Sequence, residues 1–168
     1  ATGIDTITAD AGVAKMSLYN NFASKDALVV EYVEDRHLTL MAFYAARVSE
    51  LPSGQESAVD RVLAMFDAHL DHARQAYDDD FRGCGLINAA AELPTGHPGR
   101  VAVRRHKEEI EATLREPLLE KFDDLRAGQL TTTISLLLEG AMVRSGLAGT
   151  DEHLTGARTI ARDLLASA

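Results

Sequence analysis

Apolar residues along this chain recur at intervals of three and four, and no stretch alternates apolar and polar positions as a half-buried strand does. Ala, Leu, Glu and Arg, all good helix formers, dominate the long segments. The pattern predicts a short helix over Asp5–Ala11, stopped by Gly12, and a second over Ala14–Asn21. Ser24 is placed to cap a third helix, with Asp26 in its first turn where a negative charge suits the helix dipole, running to about Glu50. Leu51-Pro52-Ser53-Gly54 reads as a break. The next helix is expected from about Glu56 to Tyr77, with Val59, Val62, Leu63, Phe66, Leu70 and Ala73 on one apolar face. A polar loop begins at Asp78-Asp79-Asp80, a short helix covers Cys84–Leu93, and Pro94–Gly99 closes it. A long helix follows from about Arg100, with a kink or break expected at Pro117 and a turn at Asp123–Gly128. Gln129–Leu147 is strongly apolar and ends at Gly149-Thr150; Asp151 starts a last helix striped by Leu154, Ala157, Ile160, Ala161, Leu164 and Leu165. The fold class is all-α.

Composition narrows the setting. The 168 residues suit one domain or a small module on a larger one, and 46% apolar with 26% charged residues can bury a core. A single cysteine makes no internal disulfide, which fits a reducing compartment. The N-terminus lacks the regions of a signal peptide, and no stretch approaches the ~20 apolar residues of a membrane span. A cytoplasmic protein with no membrane partner is expected.

Charge first argues against nucleic acid, because the net charge is −9. It is unevenly spread, however. Residues 1–25 are neutral, with Lys15 and Lys25 against Asp5 and Asp10, and the rest carries the whole deficit.

The two short helices around Gly12 have the layout of a helix-turn-helix. Gly12 supplies the residue tolerant of positive φ. Ile7, Ala11, Leu18 and Phe22 are expected to face inward, and Val13 to plug the gap between the helices. Lys15, Met16, Ser17, Tyr19, Asn20 and Asn21 are left to face outward, toward DNA.

The run from Thr6 to Leu28 resembles the signature of the tetracycline-repressor (TetR) family, roughly T-x-x-x-I-A-x-x-A-G-V-S-x-G-x-L-Y-x-H-F-x-S-K-x-x-L. Ile7, Ala11-Gly12-Val13, Leu18-Tyr19, Phe22, Ser24-Lys25 and Leu28 match it. Met16 stands where glycine is frequent and Asn21 where histidine is frequent, which bears on base specificity rather than on fold. The family's first helix has no counterpart in this chain. The resemblance implies an N-terminal helix-turn-helix domain over 1–48 and a C-terminal ligand-binding and dimerisation domain over 49–168. It implies a regulator, most simply a repressor, that binds a near-palindromic operator as a homodimer and responds to a small-molecule effector. Thr6, Tyr19 and Lys25 would meet phosphates; Lys15, Met16, Ser17 and Asn20 would face base edges or nearby backbone.

Beyond the motif, Phe81–Leu93, His97-Pro98, His106-Lys107 and Leu136–Ala141 are similar to one subset of such regulators, without naming an effector. The last two helices, about 129–147 and 151–166, are the expected homodimer interface, a four-helix bundle in which Gly140, Ala141 and Ser145 allow close approach. A ligand pocket is expected among the middle helices, with Phe43, Met65, Phe66, His69, Cys84, Asn88, His106, Ile110 and Met142 as candidate lining groups. Each of these is, on its own, equally at home in an ordinary core.

Other chemistry is weaker. His69 and His72 sit one turn apart and could ligate a metal with Asp67, Asp71 or His106, but spacing alone is poor evidence and no metal site is assigned. Cys84 could be a redox thiol near Arg82, or a small buried apolar residue. Arg104-Arg105-His106-Lys107 is offset by Glu108, Glu109 and Glu111 and reads as a salt-bridged helix face. No nucleophile elbow, phosphate loop or paired catalytic carboxylates appear, so neither an enzyme nor a cofactor is expected. The competing reading is a helical homodimer that binds a small molecule or metal without any DNA role.

Overall fold

A computed structural model describes residues 2–52, 57–77 and 81–168. Among these residues the chain forms eight helices and no strand: α1 (Ile4–Asp10), α2 (Lys15–Asn21), α3 (Lys25–Ser49), α4 (Ala58–Tyr77), α5 (Gly85–Ala91), α6 (Pro98–Leu119), α7 (Asp124–Ala148) and α8 (Glu152–Ala166). The expected loop at Asp78–Asp80 and part of the break after Leu51 lie outside the described residues.

Local chemistry explains most of the ends. Gly12 adopts φ 65°, the left-handed geometry expected of the α1–α2 turn. The Ser24 hydroxyl accepts from the Ala27 N–H and starts α3. Gly149, also left-handed, ends α7. Three boundaries differ from expectation. Helix α6 starts at Pro98 rather than Arg100: proline's fixed φ suits a first helical position, and His97 Nδ1 caps the turn by accepting from the Gly99 N–H at 3.0 Å. Pro117 neither breaks nor ends α6 on its own, because it lies in the last turn and the helix stops two residues later. The segment from Asp123 is no turn. Asp123 caps α7 through the Arg126 N–H at 2.8 Å, and Gly128 lies within the helix.

Helix α4 is the centre of the body, packed against α3, α6 and α8. Its stripe of Val62, Leu63, Phe66, Leu70 and Ala73 is buried as the spacing requires. Leu114 and Leu118 of α6, Leu130, Ile134 and Leu138 of α7, and Leu154 and Leu165 of α8 complete the core. Each such side chain contributes roughly 1.5–3 kcal/mol by leaving water. A smaller cluster of Val33, Leu86, Ala102 and Val103 ties α3 to α5 and α6.

At one point two backbones touch. A Cβ on Gly146 of α7 would lie 2.2 Å from the Gly83 nitrogen and 2.5 Å from the Arg82 carbonyl carbon. Only glycine lets the 81–85 segment lie directly on α7, and Gly83 itself takes φ 83° there.

Candidate DNA-binding face and ligand cavity

Helices α1 and α2 pack together at the N-terminal end, with Leu18 buried between them. Thr8 is the other buried residue here; its hydroxyl donates to the Ile4 carbonyl at 3.0 Å, so a threonine fills the place expected of an apolar group. Ala11, expected inside, is exposed. Val13, expected to plug the gap, is 47% exposed, since two seven-residue helices do not enclose it.

The predicted contact residues are accessible, on α1, around α2 and at the start of α3. Thr6, Lys15, Met16, Ser17, Tyr19, Asn20 and Asn21 are all exposed, and Lys25 is half-buried. Several are already engaged. Lys15 Nζ lies 2.7 Å from Asp5 Oδ1, which raises the lysine pKa. The Asn21 amide donates to the Ser17 carbonyl at 2.8 Å, folded back on its own helix. Lys25 Nζ donates to the Thr2 carbonyl and braces the start of α1 against α3.

A second feature lies in the body. A cavity of about 430 Å³ opens between α3, α4, α6, α7 and the 81–86 segment. That volume falls in the range of about 300–1,000 Å³ usual for small-molecule sites. Of the residues expected to line it, His69, Cys84, Asn88, His106 and Met142 do so. Met65, Phe66 and Ile110 lie in the solid core instead, each at most 2% exposed. Phe43 does not reach the cavity either, but packs on the core edge with its ring against His72.

Sequence reasoning missed much of the polar lining: Tyr32 and Arg36 of α3, Arg82 ahead of α5, and Lys107 of α6. Tyr32, Arg36 and Leu40 recur every four residues on one face of α3, the one signal that could have placed them. Lys107, read as part of a salt-bridged helix face with Glu108, Glu109 and Glu111, turns toward the cavity instead. Its Nζ sits 2.6 Å from Glu139 and 3.6 Å from the Cys84 sulfur. Its neighbours do form the expected salt-bridged face, through Arg104–Glu108 and Arg105–Glu109.

Three histidines line this space. The Nδ1–H of His69 donates to the Met65 carbonyl at 2.8 Å, which leaves Nε2 as an acceptor. The Arg36 guanidinium donates to Nε2 of His72. His106 meets His37 Nδ1-to-Nδ1 at 3.0 Å, and His37 in turn donates from Nε2 to Glu109. Burial, and then the nearby positive charge of Lys107, pushes His69 and His106 down to about 3. Burial and then Arg36 push His72 down to about 4. All three are therefore neutral at neutral pH. The acids that might have joined His69 and His72 on a metal are committed elsewhere: Asp67 forms a two-pronged pair with Arg158 and Asp71 with Arg47. Among the described residues no group of three His, Cys, Asp or Glu side chains is arranged to hold a metal ion.

The head of α6 meets the start of α3. His97, at the head of α6, places Nε2 3.2 Å from Asp26 in the first turn of α3. Behind it Gly99 is so tightly seated that a Cβ would lie 2.8 Å from Val29 of α3 and from Leu93. The same helix, about two and a half turns later, carries His106 and Lys107 into the cavity wall.

Comparison with known proteins agrees with this arrangement. Residues 1–32 match the family model of bacterial regulatory proteins of the tetR family. No curated protein sequence matches the chain. Among solved structures, a TetR transcriptional regulator from Legionella pneumophila is 21% identical, with a TM-score of 0.79 over 98% of this chain and 86% of that one. A regulatory protein TetR from Rhodobacter sphaeroides is 20% identical, with a TM-score of 0.76 over 96% and 87%. These two speak for the fold alone. A TetR-family transcriptional regulator from Streptomyces coelicolor is closer in sequence, 30% identical over 96% of this chain and 78% of its own length, with a TM-score of 0.75. No described helix is long and apolar enough to cross a membrane. With the helix-turn-helix at its N-terminus and a relative this similar along nearly its whole length, the chain belongs to the TetR family of DNA-binding transcriptional regulators.

Proposed function

We propose that this protein is a ligand-responsive repressor that binds a near-palindromic operator as a homodimer. The observation that carries the reading is the accessible face of α2, where Lys15, Met16, Ser17, Tyr19 and Asn20 project together beyond a buried Leu18. A helix presented this way fits the major groove. Tyr19, Lys25 and Thr6 would hold phosphates, and Asn20 and Met16 would meet base edges, the amide suited to adenine and the thioether to a thymine methyl. Residues 1–48 would form the DNA-binding domain and 49–168 the sensing and dimerisation domain, with α3 shared between them.

The pairing surface would come from α7 and α8. Leu136, Gly140, Val143 and Leu147 line up on the outer face of α7, with Leu136 68% and Leu147 85% exposed. Ile160 of α8 is 57% exposed. Gly140 has open space above it, so it is placed to admit a partner helix. Ala141 and Ser145, also expected at that interface, are buried within the chain, and the Ser145 hydroxyl accepts from the Leu154 N–H. Twofold pairing would set two α2 helices about one DNA turn, ~34 Å, apart. A ligand entering the cavity would bear on His106 and Lys107, and α6 would carry the displacement to α3 through His97 and Gly99.

The test is selection of binding sites from random duplexes, followed by fluorescence anisotropy on the enriched sequence. A short near-palindrome should emerge, and Tyr19→Ala and Lys25→Ala should each weaken binding tenfold or more, with a shallower dependence on salt. A folded dimer that enriches nothing at low salt would overturn the DNA reading and leave a helical small-molecule binder.

A further inference from the structure

The cavity described above has an unusual balance of charge. Its lining includes Arg36, Arg82 and Lys107 and, among the described residues, no Asp or Glu; Arg82 is engaged elsewhere. Lys107 is neutralised from outside the lining by Glu139. Arg36 pairs with no acid among the described residues. Its guanidinium is half-buried, and its partner is the neutral Nε2 of His72, an acceptor that removes none of its charge. Burying a guanidinium beside a ring that must stay neutral is costly, and the arrangement becomes favourable once an anion arrives. The apolar part of the wall is formed by Leu40, Phe81, Leu86 and Met142.

We infer that the cavity takes a small organic anion, a carboxylate or sulfonate on an apolar body, with the negative group held by Arg36. This rests on the reading of the cavity as the effector site and names the chemical class of the effector. Arg36 has four of its five N–H donors to offer beyond the one given to His72, enough for a two-pronged grip on a planar carboxylate. The histidines agree with this polarity. The positive charges of Arg36 and Lys107 oppose their protonation, so the space repels cations and a bound anion would relieve that repulsion. A neutral apolar ligand would fill the volume and leave Arg36 uncompensated; a cationic one would add to the excess.

Two dyes separate the body from the charge. The full chain is titrated with 1-anilinonaphthalene-8-sulfonate and with N-phenyl-1-naphthylamine, which has the same rings and no sulfonate. The sulfonate should bind once per chain and at least tenfold more tightly than the neutral dye. Arg36→Gln should weaken the sulfonate tenfold or more and leave the neutral dye within twofold, which also shows that the variant keeps its cavity. Glu139→Gln, which frees Lys107, should tighten the sulfonate severalfold, a gain that misfolding does not produce. Equal binding of both dyes, indifferent to Arg36→Gln, would overturn the anion assignment and leave the effector cavity standing. If neither dye binds the folded protein, the effector cavity itself is overturned, and the assignment with it.

Discussion

At the scale of single residues, three buried histidines make stability depend on pH. His69, His72 and His106 titrate well below 6.5 in the folded chain and near 6.5 when it is unfolded. Between about pH 6.5 and pH 4 the unfolded state therefore binds more protons at these sites, and stability is lost as pH falls through that window. The urea midpoint should drop between pH 7.5 and pH 5.5. His69→Gln, which keeps a donor for the Met65 carbonyl, should flatten the acid limb by about one proton, or roughly 1.4 kcal/mol per pH unit. An unchanged slope in that variant would mean that His69 is not held neutral. His69 was legible as a cavity residue because a polar ring among apolar neighbours stands out in sequence; His106 lies in a charged run and was a candidate both for the cavity and for a salt-bridged face. Arg36 and Lys107 were not legible, since a long cationic side chain looks the same in sequence whether it is solvated or turned inward. Only the approach of α4 and α7 decides which.

At the scale of elements, the contact of the 81–85 segment with α7 is the tightest constraint on the cavity. Gly146→Ala would press a methyl group into the backbone of Arg82 and Gly83, at distances near 2.2–2.5 Å, and neither backbone can move without the other. Overpacking of this kind costs about 1–3 kcal/mol. The variant should unfold at lower urea and bind both naphthyl dyes weakly, because Phe81 and Cys84 of the displaced segment line the cavity. Full retention of both properties would show that the segment yields freely. Elements differed in how well sequence exposed them. Helix α4 showed its stripe in sequence, and Val62, Leu63, Phe66, Leu70 and Ala73 are buried as read. Ala64, Met65, Ala68 and His69 are buried as well, and Val59 only in part, because α3, α6 and α8 close on the helix from several sides. Helix α7 is apolar nearly all round, so its length was legible but not which face turns inward. That is why Ala141 and Ser145 were expected outside and are found inside. Gly128 suggested a turn, but packing beside Arg115 and the cap at Asp123 override one glycine's weak preference.

At the scale of the whole molecule, the exposed stripe on α7 bears on assembly. Large apolar side chains set in a row on a helix are characteristic of an association face. Sedimentation of the wild-type chain should give a dimer, and the double variant Leu136→Glu/Leu147→Glu should sediment as a monomer with unchanged helical content. The variant should also bind half an operator no better than other DNA at moderate salt, because the second reading head contributes much of the phosphate contact. A dimer that survives both charges would move the interface elsewhere. The fold class and the position of the reading helix were visible in sequence because they depend on local spacing around Gly12. The cavity was only half visible because it depends on contacts between residues far apart in the chain.

The ion pair between Lys15 and Asp5 has a consequence for how such a protein shares a chromosome with everything else on it. If α2 reads DNA as proposed, it would offer bulk duplex one lysine, and that lysine is paired with Asp5. An acidic body of net charge −9 stands behind it. On the proposed reading, random sequence, which has only phosphates to offer, would hold this chain weakly and briefly. Few copies would be sequestered along the genome, and a small number of molecules would suffice to keep one site occupied.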